Sequence, residues 1–244
     1  MNGLFLYEAV IDPQKPSGVE KKILAQIKAF NDAGLNCRLF PFTGGTGKPK
    51  RRSRLDFLRR RLPFSDQEPP WLYHEAFDRA DYLYFRKPSY MTYGMRKVLG
   101  RLKAARPRVK VVMEIPTYPY DSEYLAGKDL PYLWKDRHNR RKLAGLVDLI
   151  AYISDKDYPS IFGIPAVRII NGIDLSGIQP REPLIDDTID ICAVANFSKW
   201  HGFERLILGL REYCLQGGTR KFKLHFAGRG LELDRYRQLA SDPL

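Results

Sequence analysis

"PSGVEKKILAQIKAFNDAGLNC" runs from Pro16 to Cys37 and follows the apolar run "GLFLYEAVI" (Gly3–Ile11). The apolar run reads as a buried strand. Beyond Gly18, residues Val19, Ile23, Ile27 and Phe30 recur at helical spacing with lysines between them. Gly34, behind Asp32-Ala33, is a helix stop, and "NCRLFPF" (Asn36–Phe42) reads as a second strand. A strand that turns through Ser17-Gly18 straight into a helix is the repeating unit of an α/β sheet. A glycine at such a helix start also lets a phosphate rest against bare backbone N–H groups. The two readings differ in what the glycine is for.

Outward from this stretch the alternation continues. "DYLYFR" (Asp81–Arg86) reads as a strand after a helix around Trp71–Arg79. "RVKVVMEI" (Arg108–Ile115) follows a helix around Tyr90–Ala105, and "DLIAYIS" (Asp148–Ser154) and "AVRII" (Ala166–Ile170) add two more strands. The order predicts a parallel, doubly wound sheet. Asn171-Gly172 closes the last of these strands as a turn. The Pro-, Gly- and Asp-rich stretch to residue 188 reads as a linker. The pattern then restarts with strand "IDICAVAN" (Ile189–Asn196), helix Gly202–Leu215, strand "KFKLHFAG" (Lys221–Gly228) and helix Leu231–Ala240. Residues 1–172 are thus expected to form one domain, 173–188 a linker, and 189–244 the opening of a second doubly wound domain, incomplete within this chain.

Composition narrows the class. The 244 residues are 44% hydrophobic and carry a net charge of +13, which points to an anionic partner: nucleic acid, a phospholipid surface or a phosphorylated substrate. No run of about 18 apolar residues is present. The three cysteines (Cys37, Cys192, Cys214) are scattered and read as reduced, buried thiols of a cytoplasmic protein. "KPKRRSRLDFLRRR" (Lys48–Arg61) holds eight basic residues and one acid, and "KDRHNRRK" (Lys135–Lys142) is a second basic cluster. In the first, Leu55, Phe57, Leu58 and Leu62 interleave with arginines. That pattern suits a solvated loop or a membrane-surface contact through Arg51, Arg52, Arg59, Arg60 and Arg61. No fold pattern that reads DNA or RNA accompanies the charge.

Familiar motifs are mostly excluded. "TGGTGKP" (Thr43–Pro49) lacks the outer glycine and the Ser/Thr of a phosphate-binding loop. The four histidines show no metal spacing, and no Gly-x-Ser-x-Gly elbow occurs. "GRG" (Gly228–Gly230) lacks the third glycine of a dinucleotide fingerprint. Glu114, at the carboxyl end of its strand, stands where α/β sheets bind ligands; orienting an acceptor hydroxyl or a structural hydrogen bond would both suit it.

The succession of strand, Ser17-Gly18-Val19-Glu20 and helix; strand, Ser154 and helix; "VRIINGID" (Val167–Asp174); linker; and "AVANFSKWHGFERLILGL" (Ala193–Leu210) resembles the GT-B glycosyltransferases. The likeness is to the large retaining family of bacterial polysaccharide and lipopolysaccharide transferases, and it covers nearly the whole chain. It implies a Rossmann-like acceptor-side domain, a donor-side domain begun at Ile189, and a cleft for a sugar-nucleotide diphosphate. Ser17-Gly18 stands where the family has two glycines beside that diphosphate. Asn196 stands in place of the family's arginine and His201 in place of its lysine, with Lys199 two residues away. Trp200 and His201 also suit a helix cap and staple. The histidine usual after the fourth strand is replaced by "MEIPTYPYD" (Met113–Asp121), and the family's late pair of glutamates is not encoded.

The resemblance implies transfer of a sugar from a nucleotide-sugar donor to a lipid-linked or saccharide acceptor hydroxyl, in envelope polysaccharide synthesis, without metal or other cofactor. It implies a cytoplasmic enzyme of hexosyltransferase type, peripheral at the inner face of the cell membrane, with this 244-residue chain inactive alone. The alternatives are an inactive truncated remnant that binds membrane or acceptor, and a nucleic-acid-binding protein.

Overall fold

The computed structural model describes residues 1–7, 10–12, 14–41, 75–123, 129–172, 178–179 and 187–241. The chain divides into two compact units, Met1–Gly177 and Ile178–Leu244.

The first unit is built on a seven-stranded sheet in the order β2-β1-β3-β4-β5-β7-β6. Its strands are β1 (Asn2–Tyr7), β2 (Asn36–Pro41), β3 (Tyr82–Arg86), β4 (Lys110–Ile115), β5 (Leu149–Tyr152), β6 (Ser160–Ile161) and β7 (Ile164–Arg168). All neighbours pair in parallel except β6 and β7. The α-helices among its described residues are α1 (Gly18–Asp32), α2 (Tyr93–Ala105) and α3 (Leu130–Arg140).

Alternation along the strands explains the double winding. Leu4, Leu6, Leu83, Phe85, Val111 and Met113 pack with Met95, Val98, Leu99 and Leu102 of α2. Phe5, Tyr82 and Tyr84, at the intervening positions, pack with Ile23, Ile27 and Phe30 of α1. Successive side chains leave opposite faces, so both faces of a central strand must be apolar when each is covered by a helix. Because β1 lies between β2 and β3, the winding reverses at its carboxyl end. That is where open α/β sheets hold their ligands.

α1 carries the stop expected at Gly34, whose φ of +78° suits glycine, with Leu35 N–H donating back to the Phe30 carbonyl at 2.8 Å. Three expectations need correction. The helix expected around Trp71–Arg79 is a single 3-10 turn, Glu75–Arg79, within the described residues. No helix follows Ser154: the chain forms the β6–β7 hairpin, turning through Phe162 (φ +55°) and Gly163 (φ +76°). Pro159 and Pro165 flank this turn and deny a helix its continuous N–H donors. Of the cysteines only Cys37 is buried; Cys192 and Cys214 are exposed, and all three are free thiols.

One helix, α3, has no counterpart in the sequence reading. Its buried positions are Leu133, Lys135, Asp136 and Asn139, so three of four are polar and no apolar period marks it. Asp136 accepts from Met91 N–H (2.7 Å), Tyr120 Oη (2.8 Å) and Arg140 (3.0 Å), which satisfies the buried charge.

Among its described residues the second unit has two parallel strands, β8 (Thr188–Asn196) and β9 (Lys221–Arg229), and two α-helices, α4 (Phe203–Leu215) and α5 (Leu233–Ser241). Phe197, Ile207 and Tyr236 form its core, with Phe203 and Phe226 against them. Among the described residues, no helix is long and apolar enough to cross a membrane.

Candidate functional site

In the first unit a cavity of about 300 Å³ opens at the carboxyl edge of the sheet. It is lined by Gly18, Val19 and Lys22 from α1, Arg86 from the end of β3, Pro116 and Ile153 from behind β4 and β5, and Asn171-Gly172. Two segments singled out in the sequence, Gly18 and Asn171-Gly172, about 150 residues apart in the chain, therefore face one space.

Ser17 holds the helix start. Its Oγ accepts the Glu20 N–H at 3.3 Å, and the Glu20 carboxylate accepts the Ser17 N–H at 2.6 Å, a reciprocal capping box. The hydrogen bond from the Ser17 backbone holds the Glu20 carboxyl below the ordinary range. Ser17 itself is occupied as a cap. The N–H groups of Gly18 and Val19, in the first turn, have no partner within the helix, and both residues line the cavity.

Gly18 is not required by its backbone. A Cβ built there meets nothing within 4 Å, and the same holds at Gly172. Gly3 shows the contrast: there a Cβ would fall 1.9 Å from the Tyr82 ring, so packing dictates the glycine. The open space over Gly18 is the cavity's own.

Lys22 and Arg86 make the cavity cationic, and Glu114 holds them. Glu114 is fully buried. It accepts from Lys22 Nζ at 3.0 Å, Gln26 Nε2 at 2.8 Å, Tyr84 Oη at 2.7 Å and Arg86 at 3.4 Å. Arg86 and Glu114 are register partners on β3 and β4, while Lys22 and Gln26 sit one helical turn apart on α1. Burial would raise the Glu114 carboxyl, but the hydrogen bonds from Gln26, Tyr84 and Lys22 and the Lys22 charge outweigh it and hold the group below its usual value. Burial, reinforced by the Glu114 charge, pushes the Tyr84 phenol far up, so it stays a donor. Glu20 at the helix start is turned to the Ser17 N–H and Glu114 lies behind the wall, so the charged residues that line the cavity are the cations Lys22 and Arg86. Its chemistry is that of an anion site.

In the second unit, Asn196 ends β8 and is exposed, as is Lys199. Lys199–His201 forms a 3-10 turn in which His201 Nδ1 accepts the Ser198 N–H at 3.1 Å. His201 also stacks on Phe203, ring centroids 5.8 Å apart. The imidazole is therefore a cap to the turn that leads into α4, and Gly202 (φ +67°) makes the junction. The glycines of "GRG" serve packing: a Cβ would fall 2.0 Å from the Ala195 carbonyl oxygen at Gly228 and 2.1 Å from that of Phe197 at Gly230.

Arg51, Arg52, Arg59, Arg60 and Arg61 lie outside the described residues. No group of three or more His, Cys, Asp or Glu side chains is arranged to hold a metal ion among the described residues. Sequence reasoning missed Lys22 and Arg86. The signal for Arg86 was present, since it ends a strand on the same sheet edge as Glu114. No protein-family model matches the chain, and a search of curated proteins finds no match.

Proposed function

We propose that the chain is a glycosyltransferase of GT-B type, in which the cavity of the first unit receives phosphate oxygens of a nucleotide-sugar donor. The observation that carries this reading is the convergence of Gly18, Val19, Lys22, Arg86 and Asn171-Gly172 on one cationic cavity at the reversal point of the sheet. The sequence resemblance supplies the reaction class. Transfer of the glycosyl group to an acceptor hydroxyl leaves a nucleoside diphosphate, and the developing charge on the leaving oxygen is what fixed cations stabilise. Lys22 and Arg86, held by Glu114, are oriented before the ligand arrives, so little reorganisation is needed at the moment of reaction. Glu114 serves as their counter-ion in this proposal. Asn196, Lys199 and His201 belong to the proposal through the resemblance alone, as does a lipid-linked or saccharide acceptor.

The test is calorimetric titration of the chain with a panel of nucleotide sugars, nucleoside diphosphates and nucleosides, paired with an assay for release of nucleoside diphosphate in the presence of membrane extract. Binding that requires the diphosphate and weakens about tenfold in Lys22→Met supports the reading, since a hydrogen bond to a charged group is worth about 1.5–3 kcal/mol. Absence of diphosphate-dependent binding across the panel sinks it.

A further inference from the structure

The face of α3 turned away from the core is not that of an ordinary solvated helix. Leu130 and Trp134, one turn apart, are 56% and 53% exposed. Arg137 continues the same face, Arg141 caps the helix in line with it, and Lys142 follows in the turn beyond, all three exposed. Arg137 is compensated by Asp121, to which it donates at 2.7 and 2.9 Å. Arg141 has no acidic partner among the described residues. Lys142 Nζ lies 3.1 Å from His138 Nε2, a neighbour that brings no negative charge. The acids on this side among the described residues are Asp121, which Arg137 engages, and Asp129, at the start of α3 beside Leu130. The face is graded, with large apolar side chains at one end and uncompensated cations at the other.

We propose that this face of α3 docks on an anionic phospholipid surface, with Leu130 and Trp134 entering the headgroup boundary and Arg141 and Lys142 meeting lipid phosphates. The proposal stands apart from the transferase reading and from the Lys48–Arg61 segment. Tryptophan and leucine beside basic residues are the composition of interfacial helices. Charge complementarity selects an anionic occupant. A nucleic acid would satisfy the cations but leave Leu130 without a partner. A lipid surface satisfies both ends.

The full chain is sedimented with phosphatidylcholine vesicles containing or lacking phosphatidylserine. Binding is expected only with phosphatidylserine. A basic residue near an anionic surface contributes about fivefold in partitioning, so Arg141→Gln with Lys142→Gln should weaken binding about thirtyfold. Trp134→Ala should weaken it about tenfold or more, from lost apolar burial. Both sites are exposed, and an unchanged thermal midpoint verifies that the variants fold. Brominated acyl chains should quench a tryptophan signal that disappears in Trp134→Phe. Unchanged vesicle binding in both variants overturns the proposal, as does loss in the basic variant alone with no quenching of Trp134. Loss of RNA binding with vesicle binding intact would assign the face to nucleic acid instead. None of these readouts depends on sugar transfer.

Discussion

Lys22 of α1 and Glu114 of β4, 92 positions apart in sequence, form a 3.0 Å ion pair whose carboxylate is fully buried and whose ammonium borders the cavity. The pair ties the winding of the sheet to the chemistry of its edge. A buried carboxylate stripped of a cation is costly, and cations stripped of their carboxylate lose the group that aims them. Glu114→Gln is expected to destabilise the first unit by about 3 kcal/mol. It is also expected to lower diphosphate affinity, although Glu114 need never touch the ligand. Denaturant unfolding and calorimetry read the two effects separately. An unchanged affinity in a folded Glu114→Gln protein would remove the positioning role.

Acid should expose both this carboxylate and a separate set of ion pairs around Asp121. Hydrogen bonds from Arg140, with Arg137 and both guanidinium charges adding to them, lower the Asp121 carboxyl to about 2 against the opposing effect of burial. Glu114 is also held below its ordinary value. Groups with depressed folded values contribute stability that is complete above the unfolded values of about 4 and is lost as pH falls through the folded ones. The thermal midpoint should therefore change little from neutral pH down to about 5 and fall steeply below about 4. Asp121→Asn should lower the midpoint at neutral pH and flatten the acid limb. An Asp121→Asn midpoint that follows the parent at every pH would show that these pairs contribute nothing.

Sequence legibility followed the kind of burial each element uses. α1 and α2 and the central strands were legible because helices on both faces of the sheet demand apolar side chains at fixed spacing. α3 was not, because Lys135, Asp136 and Asn139 bury a polar face whose partners lie far away in sequence. The turn after β5 was read as a strand-to-helix junction, whereas two prolines and the Phe162-Gly163 turn make a hairpin. In the site, Gly18 and Asn171-Gly172 were visible as turn signals. Lys22 looked like one more solvent-facing lysine of α1, and only the fold shows that it reaches Glu114 and the cavity.

The second unit should be sensitive at Gly228 and Gly230, where φ is +140° and +157° and a Cβ would strike the backbone around Ala195 and Phe197. Gly→Ala at either position is expected to cost more than 2 kcal/mol, combining left-handed strain with a clash against main chain that no rotamer relieves. Hydrogen exchange localises the effect. Protection should fall across β8 and β9 while the first unit keeps its own. Wild-type protection in both strands would show that the main chain relieves the clash without loosening the strand pair.

The start of α1 separates the architectural from the chemical use of its residues. Ser17→Ala removes a side-chain cap and should cost about 1 kcal/mol, a shift of about 2–4 °C in midpoint, with diphosphate affinity reduced only slightly. Gly18 should behave in the opposite way. Its added Cβ meets no atom within 4 Å and its backbone is not left-handed, so the fold has no need of glycine here. Gly18→Ala is expected to leave stability unchanged or to raise it by a few tenths of a kcal/mol, because alanine loses less chain entropy on forming a helix. Gly18→Leu should fold equally well yet place a branched side chain over the Val19 N–H, where phosphate oxygens would otherwise approach, and abolish diphosphate binding. The pair of variants discriminates as neither does alone. A Gly18→Leu protein that is folded and still binds nucleotide sugar at the parent's affinity would show that the cavity is only a crevice of the sheet edge. Folded and unable to bind, it would show that the glycine after Ser17 is kept bare for a ligand.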